Sequence, residues 1–367
     1  MREYIDGSTA IVRGALDAGC SFFAGYPITP ASGILMAMMR ELPRAGGIAI
    51  QGEDEIASIG MCIGATLAGA RAMTATSGPG ISLYSENIGL AVMGEVPLVI
   101  VDVQRLGPST GGATTVSQGD VQFVRWGTAG GFPVIVLAPS TITESYWLTA
   151  RAFELAERFR CPVFLLTDKE LATTLGTVES DSFPLVQPWT RQVGAQGTPY
   201  RYEPAADVAP LHEFGRDATV RFTGSTHDTR GFITKHPPTV DALNRHLSDK
   251  IEGHRAEIEL VDADLVDAAD TLILGYGITG EAVRAAVREG RRRGLRLSGL
   301  VIQSLWPVPE TALDRAIAGI GRIVVPELNL GLYRREVERL AGDREVIGVN
   351  RVDGELISPE QILEVVG

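Results

Sequence analysis

The chain has 367 residues, of which 45% are hydrophobic and 21% are charged, and its formal net charge is −12. This composition is ordinary for a globular α/β protein and excludes a fibrous or largely disordered chain. No basic stripe offsets the acidic balance, which argues against a nucleic-acid partner. The length predicts two domains.

The cysteines and the apolar segments indicate where the protein resides and whether it could hold a metal. Cys20, Cys62 and Cys161 lie far apart and form no Cys-x-x-Cys pair, so we expect neither an iron–sulfur cluster nor any other metal site within this chain. The N-terminal segment lacks the apolar core of a signal peptide, and no stretch is apolar enough to span a membrane. Together these features predict a cytoplasmic protein with reduced thiols.

Helix and strand patterns alternate along the first ~180 residues, which predicts a mainly parallel, doubly wound sheet covered on both faces. The predicted helices cover 7–19, 54–70, 82–93 and 141–159, and the predicted strands cover 21–24, 72–76, 97–103, 134–137 and 162–167.

Two further regions follow. Residues 181–260 are rich in Pro, Thr, Gly and Arg and hold all five histidines, which predicts an irregular connector. From 261 to 367 the alternation returns and predicts a second, smaller α/β domain. Its strands are predicted at 271–274, 297–303 and 322–325, and its helices at 281–292 and 310–318.

An acidic group opens the predicted helix over 54–70. Glu55 follows Glu53 and Asp54, and no other charge occurs before Arg71. Acids at a helix start commonly favour the positive end of its dipole. A carboxyl in an apolar setting could instead share a proton with a ligand nitrogen. Interior helical glycines are costly, and close approach of another helix or a ligand usually explains them. Here the small residues are Gly60, Gly64, Ala65, Ala68, Gly69 and Ala70.

Three Gly- and Pro-rich segments follow predicted strands. They are Gly25-Tyr26-Pro27-Ile28-Thr29-Pro30, Ser77-Gly78-Pro79-Gly80 and the segment from Gln104 to Gly112. Ligands of open α/β sheets bind beyond the carboxyl ends of strands. Arg105 directly follows an apolar strand and could bind a carboxylate through two hydrogen bonds, or it could form a structural ion pair with Asp120.

Taken together, these segments resemble the α subunits of 2-oxoacid:ferredoxin oxidoreductases. The resemblance rests on the YPITP segment at Tyr26–Pro30, on Glu55, on the Ser77–Gly80 turn and on Gln104-Arg105 followed by Gly107-Pro108-Ser109-Thr110-Gly111. Leu305–Pro309 and Pro326–Gly331 are similar to motifs of the family's second domain, so that the resemblance covers most of the chain.

The resemblance implies a thiamine diphosphate (TPP) pyrimidine-binding domain over 1–180 and a transketolase C-terminal-like domain over 261–367. It implies that Glu55 hydrogen-bonds to N1′ of the aminopyrimidine and that Thr29 and Arg105 bind the carboxylate of a 2-oxoacid. Tyr26, Pro27, Ile28, Ser77, Gly78 and Pro79 would complete the cofactor contacts.

The implied activity is oxidative decarboxylation of a 2-oxoacid to acyl-CoA and CO₂, with electrons passing to ferredoxin. The chain has no GDG motif followed by Asn-Asn and no cysteine cluster. The resemblance therefore implies a β subunit that carries the GDG and Cys-x-x-Cys motifs, Mg²⁺ and a [4Fe-4S] cluster, in an α2β2 assembly.

Two segments depart from the family pattern. Gly127-Thr128-Ala129-Gly130-Gly131 stands where the family often has Gly-x-His-Gly-Asp, so that a histidine and an acid are replaced at Ala129 and Gly131. The segment around His227 and Asp228 keeps part of a family stretch, and these two residues could form a lid over the site. 2-Oxoglutarate is favoured as substrate, and a branched-chain or aryl 2-oxoacid is the alternative.

Three other classes of function stay open on the sequence. A complete TPP decarboxylase or synthase would need the diphosphate motif that the chain lacks. Gly275-Tyr276-Gly277-Ile278-Thr279-Gly280 has the GxGxxG spacing of a dinucleotide site, but the next predicted strand ends in Gln303-Ser304 instead of an acid. A non-catalytic scaffold is less favoured because Thr29, Glu55 and Arg105 are all present.

Overall fold

A computed structural model describes residues 2–194, 198–216 and 219–367. These residues form two large α/β units, which confirms the predicted fold class. No helix among them combines the length and the hydropathy that crossing a membrane requires.

The larger sheet has seven strands, and all of its pairs except the one with β12 are parallel. Its central strands β4, β5 and β7 are buried along their whole length, as expected for a parallel sheet covered on both faces. In spatial order the strands are β12 (Ser304–Trp306), β6 (Ile135–Leu137), β7 (Pro162–Asp168), β5 (Leu98–Gln104), β4 (Ala72–Thr76), β2 (Phe22–Gly25) and β3 (Ile48–Gln51).

Helices pack on both faces of this sheet. One apolar cluster lies against α3 and α5, and another lies against α1, α2 and α7. The helices of this part of the chain are α1 (Gly7–Asp17), α2 (Ser32–Glu41), α3 (Glu55–Leu67), α4 (Pro79–Leu83), α5 (Ser85–Met93), α6 (Val121–Trp126), α7 (Ile142–Phe159) and α8 (Lys169–Thr173), with short 3-10 helices at Pro43–Ala45 and Ser180–Ser182. A small antiparallel sheet pairs β1 (Arg2–Ile5) with β8 (Gly176–Glu179).

The smaller sheet has five strands in the order β14 (Glu345–Asn350), β13 (Arg322–Glu327), β10 (Thr271–Tyr276), β11 (Leu297–Ile302) and β9 (Val261–Asp264). Its helices are α11 (Thr279–Arg292), α12 (Glu310–Ala316), α13 (Arg334–Ala341) and α14 (Pro359–Val366). Strand β12 follows β11 in the chain but does not join the smaller sheet. It pairs antiparallel with β6 of the larger sheet.

The prediction of an irregular connector over 181–260 is wrong for its last part. Helix α9 (Pro237–Glu252) and the short α10 (Arg255–Ile258) lie there. Proline is tolerated in the first turn of a helix, because the N–H that it lacks has no helical partner there. The Pro237-Pro238 pair therefore begins the helix and does not mark irregular structure.

A buried ionic cluster anchors α9 to the larger sheet. The Glu95 carboxylate accepts hydrogen bonds from Lys250 Nζ at 2.9 Å and from His246 Nε2 at 2.8 Å, and all three side chains are almost fully buried. Burial alone would raise the pKa of Glu95, but the charges of Lys250 and Arg160 hold it below its usual range. This part of the connector is therefore a fixed element of the fold.

Gln118 joins the two units at the end of the loop that begins with Arg105. Its side-chain amide donates to the Tyr276 carbonyl at 2.9 Å and accepts from the Leu328 N–H at 3.1 Å. Its own carbonyl accepts from Asn329 Nδ2 at 2.8 Å. The smaller unit thus fixes one end of the Arg105 loop through strands β10 and β13.

Candidate functional site

Four loops meet at one edge of the larger sheet. Strands β3, β2, β4 and β5 are neighbours in that order and end at Gln51, Gly25, Thr76 and Gln104. Because the carboxyl ends of parallel strands lie at the same edge, the segments that follow them converge there. The structure therefore brings Glu55, the Tyr26–Pro30 loop, the Ser77–Gly80 turn and Arg105 to a common edge.

Glu55 is the first residue of α3, and its side chain is buried, with 7% of the residue exposed. The residue that caps the helix is Asp54, whose side chain accepts from the Ala57 N–H at 2.7 Å. No described residue hydrogen-bonds to the Glu55 carboxyl. Capping of the helix therefore accounts for Asp54, whereas the buried carboxyl of Glu55 has no such role and is free to bind a ligand.

The Ser77–Gly80 turn lies against Glu55. A Cβ atom on Gly80 would lie 2.1 Å from Thr76 Oγ1 and 3.1 Å from Glu55 Oε1. Next to it, the hydroxyls of Tyr84 and Thr74 lie 2.7 Å apart, and burial raises the pKa of Tyr84 so that it stays neutral. Only glycine at position 80 leaves room for Glu55 and Thr76 in these positions.

Gly80→Ala is expected to disturb the site without replacing any group that has a proposed chemical role. The added methyl would overlap Thr76 Oγ1, and overpacking of this kind costs about 1 to 3 kcal/mol. We expect a lower melting temperature and a loss of activity through displacement of Glu55. Gly46→Ala is the comparison variant, because no atom of the described residues lies within 4 Å of a Cβ at that position. Its φ of 84° adds backbone strain but no steric overlap.

Arg105 ties two of the loops together. Its Nη1 donates to the carbonyl oxygen of Thr29, and not to a carboxylate, so the predicted alternative of an ion pair with Asp120 is not what holds it. Its Nε is buried without a partner and lies 3.1 Å from where a Cβ on Gly78 would be. Gly78 has a φ of 47°, so a side chain there would be both strained and in the way.

Two acids, Asp102 and Asp120, lie at the end of β5 from which the Arg105 loop starts. Burial raises the pKa of Asp102, and the nearby charge of Asp120 raises it further. Burial also raises the pKa of Asp120, to about 6, although the Arg105 guanidinium opposes that effect. Asp102 is not among the site residues predicted from the sequence. A charged residue within a strand that is otherwise apolar was the available signal.

The remaining predicted cofactor residues flank this edge. Tyr26 and Pro27 are exposed, and Ile28 is half-buried against the apolar core. Ser77 is fully buried, and its hydroxyl has no partner in the described chain. Ser77 and Gly78 form the turn between β4 and α4, and Pro79 is the first residue of α4.

The predicted lid is not supported. His227 is fully buried, its ring centroid lies 4.3 Å from that of Tyr200, and its Nδ1 lies 2.9 Å from the Ser225 carbonyl. Asp228 pairs with Arg230 at 3.4 Å. All of these contacts are made with other residues of the connector. The aromatic side chains around His227 hold its ring in place there.

Side chains of the larger unit fill the space around the GxGxxG turn that follows β10. A Cβ on Gly277 would lie 2.8 Å from Gln118 Nε2, and one on Gly280 would lie 2.5 Å from Ser140 Oγ. The Ile278 N–H donates to Asp168 Oδ2 at 3.2 Å. These contacts take the space where a dinucleotide would approach α11, so the glycines serve contact between the two units. Sequence reasoning missed this role of Gln118, for which no local signal exists.

The free polar groups fit one part of the expected cofactor. Beside Glu55, the Thr76 and Ser77 hydroxyls and Arg105 Nε are buried without partners, and Gly78 and Gly80 keep space open. This set suits a nitrogen-rich ring such as the aminopyrimidine of TPP. No group of three or more His, Cys, Asp or Glu among the described residues could hold a metal ion. The site therefore fits the ring.

The sequence matches two family models. Residues 13–243 match the model described as pyruvate flavodoxin/ferredoxin oxidoreductase, thiamine diP-bdg, and residues 269–362 match pyruvate:ferredoxin oxidoreductase core domain II. The chain is 42% identical to the 2-oxoglutarate synthase subunit KorA of Methanocaldococcus jannaschii, over 98% of both chains. It is 35% identical to the ketoisovalerate oxidoreductase subunit VorB of Methanothermobacter thermautotrophicus, over 99% of this chain and 96% of that one.

Solved structures agree with these matches. The 2-oxoglutarate:ferredoxin oxidoreductase of Magnetococcus marinus, solved with 2-oxoglutarate, coenzyme A and succinyl-CoA bound, superposes with a TM-score of 0.90 at 30% identity. The match covers 100% of this chain and 64% of that one, so this chain spans less than two thirds of the solved protein. A split-gene transketolase matches with a TM-score of 0.57 at 12% identity, which shows a shared fold alone.

Proposed function

The chain belongs to the 2-oxoacid:ferredoxin oxidoreductase family, and from this premise we propose that it supplies the aminopyrimidine half of a TPP site in the oxidative decarboxylation of a 2-oxoacid. The observation that carries the proposal is the buried Glu55 carboxyl, which has no hydrogen-bond partner among the described residues and shares a sheet edge with Thr29 and Arg105.

Each of these residues has a distinct task. Bound TPP supplies the electron sink that decarboxylation of a 2-oxoacid requires. Glu55 holds and exchanges a proton at N1′ of the pyrimidine ring, as a general acid–base group does. Arg105 and the Thr29 hydroxyl bind the carboxylate next to the reacting carbonyl, where a guanidinium gives charge and direction. Tyr26, Pro27, Ile28, Ser77, Gly78 and Pro79 flank the ring.

The function requires a second subunit. We propose that a β subunit with GDG and Cys-x-x-Cys motifs binds the diphosphate, Mg²⁺ and a [4Fe-4S] cluster, and that two copies of each chain form an α2β2 assembly in the cytoplasm. Ferredoxin accepts the electrons, and coenzyme A accepts the acyl group.

The exposed side of α3 supports a partner next to Glu55. Ile56 is 50% exposed, and Gly60 and Gly64 follow it on the same helix face at intervals of four residues. Apart from the backbone of α3 itself, no atom of the described residues would lie within 4 Å of a Cβ at either glycine. The described part of the chain therefore does not make the close approach predicted for these glycines, and we propose that the partner makes it.

We propose 2-oxoglutarate as the substrate, on the name of the relative that is 42% identical. A branched-chain 2-oxoacid is the second candidate. It is favoured by the ketoisovalerate relative and by a cavity of about 610 Å³ that Ala129 lines together with Leu83, Leu90, Met93 and Phe132. No lysine or arginine lines this cavity to receive a second carboxylate.

A substrate panel tests the proposal. The co-purified complex is supplied with TPP, Mg²⁺, coenzyme A and a viologen, and kcat/KM is measured for 2-oxoglutarate, 2-oxoisovalerate, an aryl 2-oxoacid and pyruvate. We expect the highest kcat/KM with 2-oxoglutarate. A preference for 2-oxoisovalerate would replace the substrate assignment, and reduction of the viologen with none of the four would contradict the proposed reaction.

A further inference from the structure

Asp102 is a buried acid without any hydrogen-bond partner at the sheet edge that forms the site. It lies on β5 and is fully buried, and neither of its carboxyl oxygens has a partner in the described chain. On the neighbouring strand it stands in register with Thr76, whose hydroxyl is also buried and without a partner. Buried polar groups are nearly always paired, so that this exception needs an explanation.

Asp120 lies at the same end of β5. Its backbone N–H donates to Gln104 Oε1 at 3.1 Å, and Gln104 follows Asp102 by two residues on the strand. Its own Oδ2 is likewise buried without a partner. Arg105 comes next in the chain, and its guanidinium lies near enough to Asp120 to act on the ionisation of that acid.

We propose that Asp102 and Asp120 are positioning residues that set the net charge around Arg105 and thereby the affinity of the site for the substrate carboxylate. The proposal rests on the substrate-binding role proposed above for Arg105. A protonated pair leaves the guanidinium unopposed, and each negative charge that the pair gains competes with the substrate for it. Charges interact strongly in a buried setting because little water screens them.

Few other ionisable groups act on this pair. Arg105 faces it from the end of β5. On the far side of Thr76 lie Glu55 of α3 and Tyr84 at the junction of α4 and α5. Tyr84 stays neutral because burial raises its pKa. Thr76 and Gln104 carry no charge, whereas Asp168 of β7, which stands in register with Gln104, is a further buried acid whose pKa burial raises to about 6.

The order of ionisation follows from burial. Burial raises the pKa of Asp120 to about 6, so that this acid loses its proton first as the pH rises. Asp102 loses its proton later, because burial and then the charge on Asp120 raise its pKa further. Each proton lost thus adds a negative charge near Arg105 and makes the site less favourable for the substrate carboxylate. By linkage, binding of the substrate is accompanied by proton uptake.

The pH profile of KM tests this proposal. In the αβ complex we measure KM and kcat for 2-oxoglutarate from pH about 5.5 to about 8.5, and we expect KM to rise about three- to tenfold for each ionisation. Asp120→Asn removes the step near pH 6 and lowers KM above it. Asp102→Asn removes only the alkaline step. Asp241→Asn is the matched control, since Asp241 lies exposed on α9 and pairs with Arg245.

Two further readouts do not depend on turnover. A complex prepared without TPP is mixed with 2-oxoglutarate, and an indicator dye is expected to report proton uptake, which Asp120→Asn reduces. Thermal unfolding is expected to show that the stability of Asp102→Asn relative to the parent protein increases as the pH rises from about 5 to about 8.5. The sign follows because the raised pKa of Asp102 stabilises the folded state below the pKa of the unfolded chain, and this contribution is lost as the pH rises.

Three results decide between the proposals. The expected shifts support the role of the pair. A KM that does not change with pH, or an Asp120→Asn variant whose KM is higher at every pH, would overturn it, because Asp120 would then only hold Arg105 in place. Absence of turnover with 2-oxoglutarate and the other 2-oxoacids at any pH would overturn the proposed function and this inference with it.

Discussion

Glu55→Gln is expected to lower kcat of the αβ complex by about a hundred- to ten-thousandfold, the usual contribution of a general acid–base group. Glutamine keeps the size of the side chain but cannot give up a proton to a ligand nitrogen. The residue is buried at the start of α3 and has no partner in the described chain, so that its replacement breaks no hydrogen bond of the protein. The loss is therefore expected in kcat and not in stability.

Glu53→Gln is the matched control for this prediction. Glu53 lies two residues away and is exposed, so that the same change of charge is made outside the site. We expect kcat within about twofold of the parent, since surface substitutions have small effects. Equal losses in the two variants would mean that the charge near the helix start matters, and not the carboxyl at position 55.

Arg105→Ala is expected to raise KM for the 2-oxoacid by about 30- to 150-fold, which corresponds to about 2 to 3 kcal/mol for lost hydrogen bonds to a charged group. The guanidinium also donates to the Thr29 carbonyl, so that the Tyr26–Pro30 loop loses a contact at the same time. Arg105→Lys is expected to recover only part of the affinity, because an ammonium group cannot bind a carboxylate and hold Thr29 with the same planar geometry.

Arg245→Ala on α9 controls for the loss of a positive charge from the chain. Arg245 is exposed and pairs with Asp241. We expect it to leave KM unchanged. If Arg105→Ala also left KM unchanged while kcat fell, the residue would act on the reaction itself, and the assignment of the carboxylate site would be wrong.

The α/β class could be predicted from the sequence because its signals are local. Apolar strands such as Ala72–Thr76 alternate with helices, and Gly- and Pro-rich turns follow them. The convergence of Glu55, Thr29 and Arg105 also followed from the strand ends. By contrast, α9 was missed because its two prolines and its histidines suggested irregular structure, and the Glu95 cluster that buries it joins residues about 150 positions apart.

The contacts around the site depend on pairs that are distant in sequence, and so the sequence could not supply them. Gln118 binds Tyr276 and Leu328, and no local pattern marks it as the link between the two units. Within the chain, Arg105 donates to the backbone carbonyl of Thr29, a contact that no local pattern in the sequence indicates. His227 was placed near the site by its motif, but the tyrosines of its own connector bury it.

The central claim is that this chain provides half of a TPP site. It is tested most directly by measuring 2-oxoglutarate-dependent reduction of a viologen by this chain alone, by the partner subunit alone and by the two together, each with TPP, Mg²⁺ and coenzyme A. We expect turnover only in the mixture, and we expect it to be lost when the chain carries Glu55→Gln. Turnover by this chain alone at the rate of the mixture would contradict it.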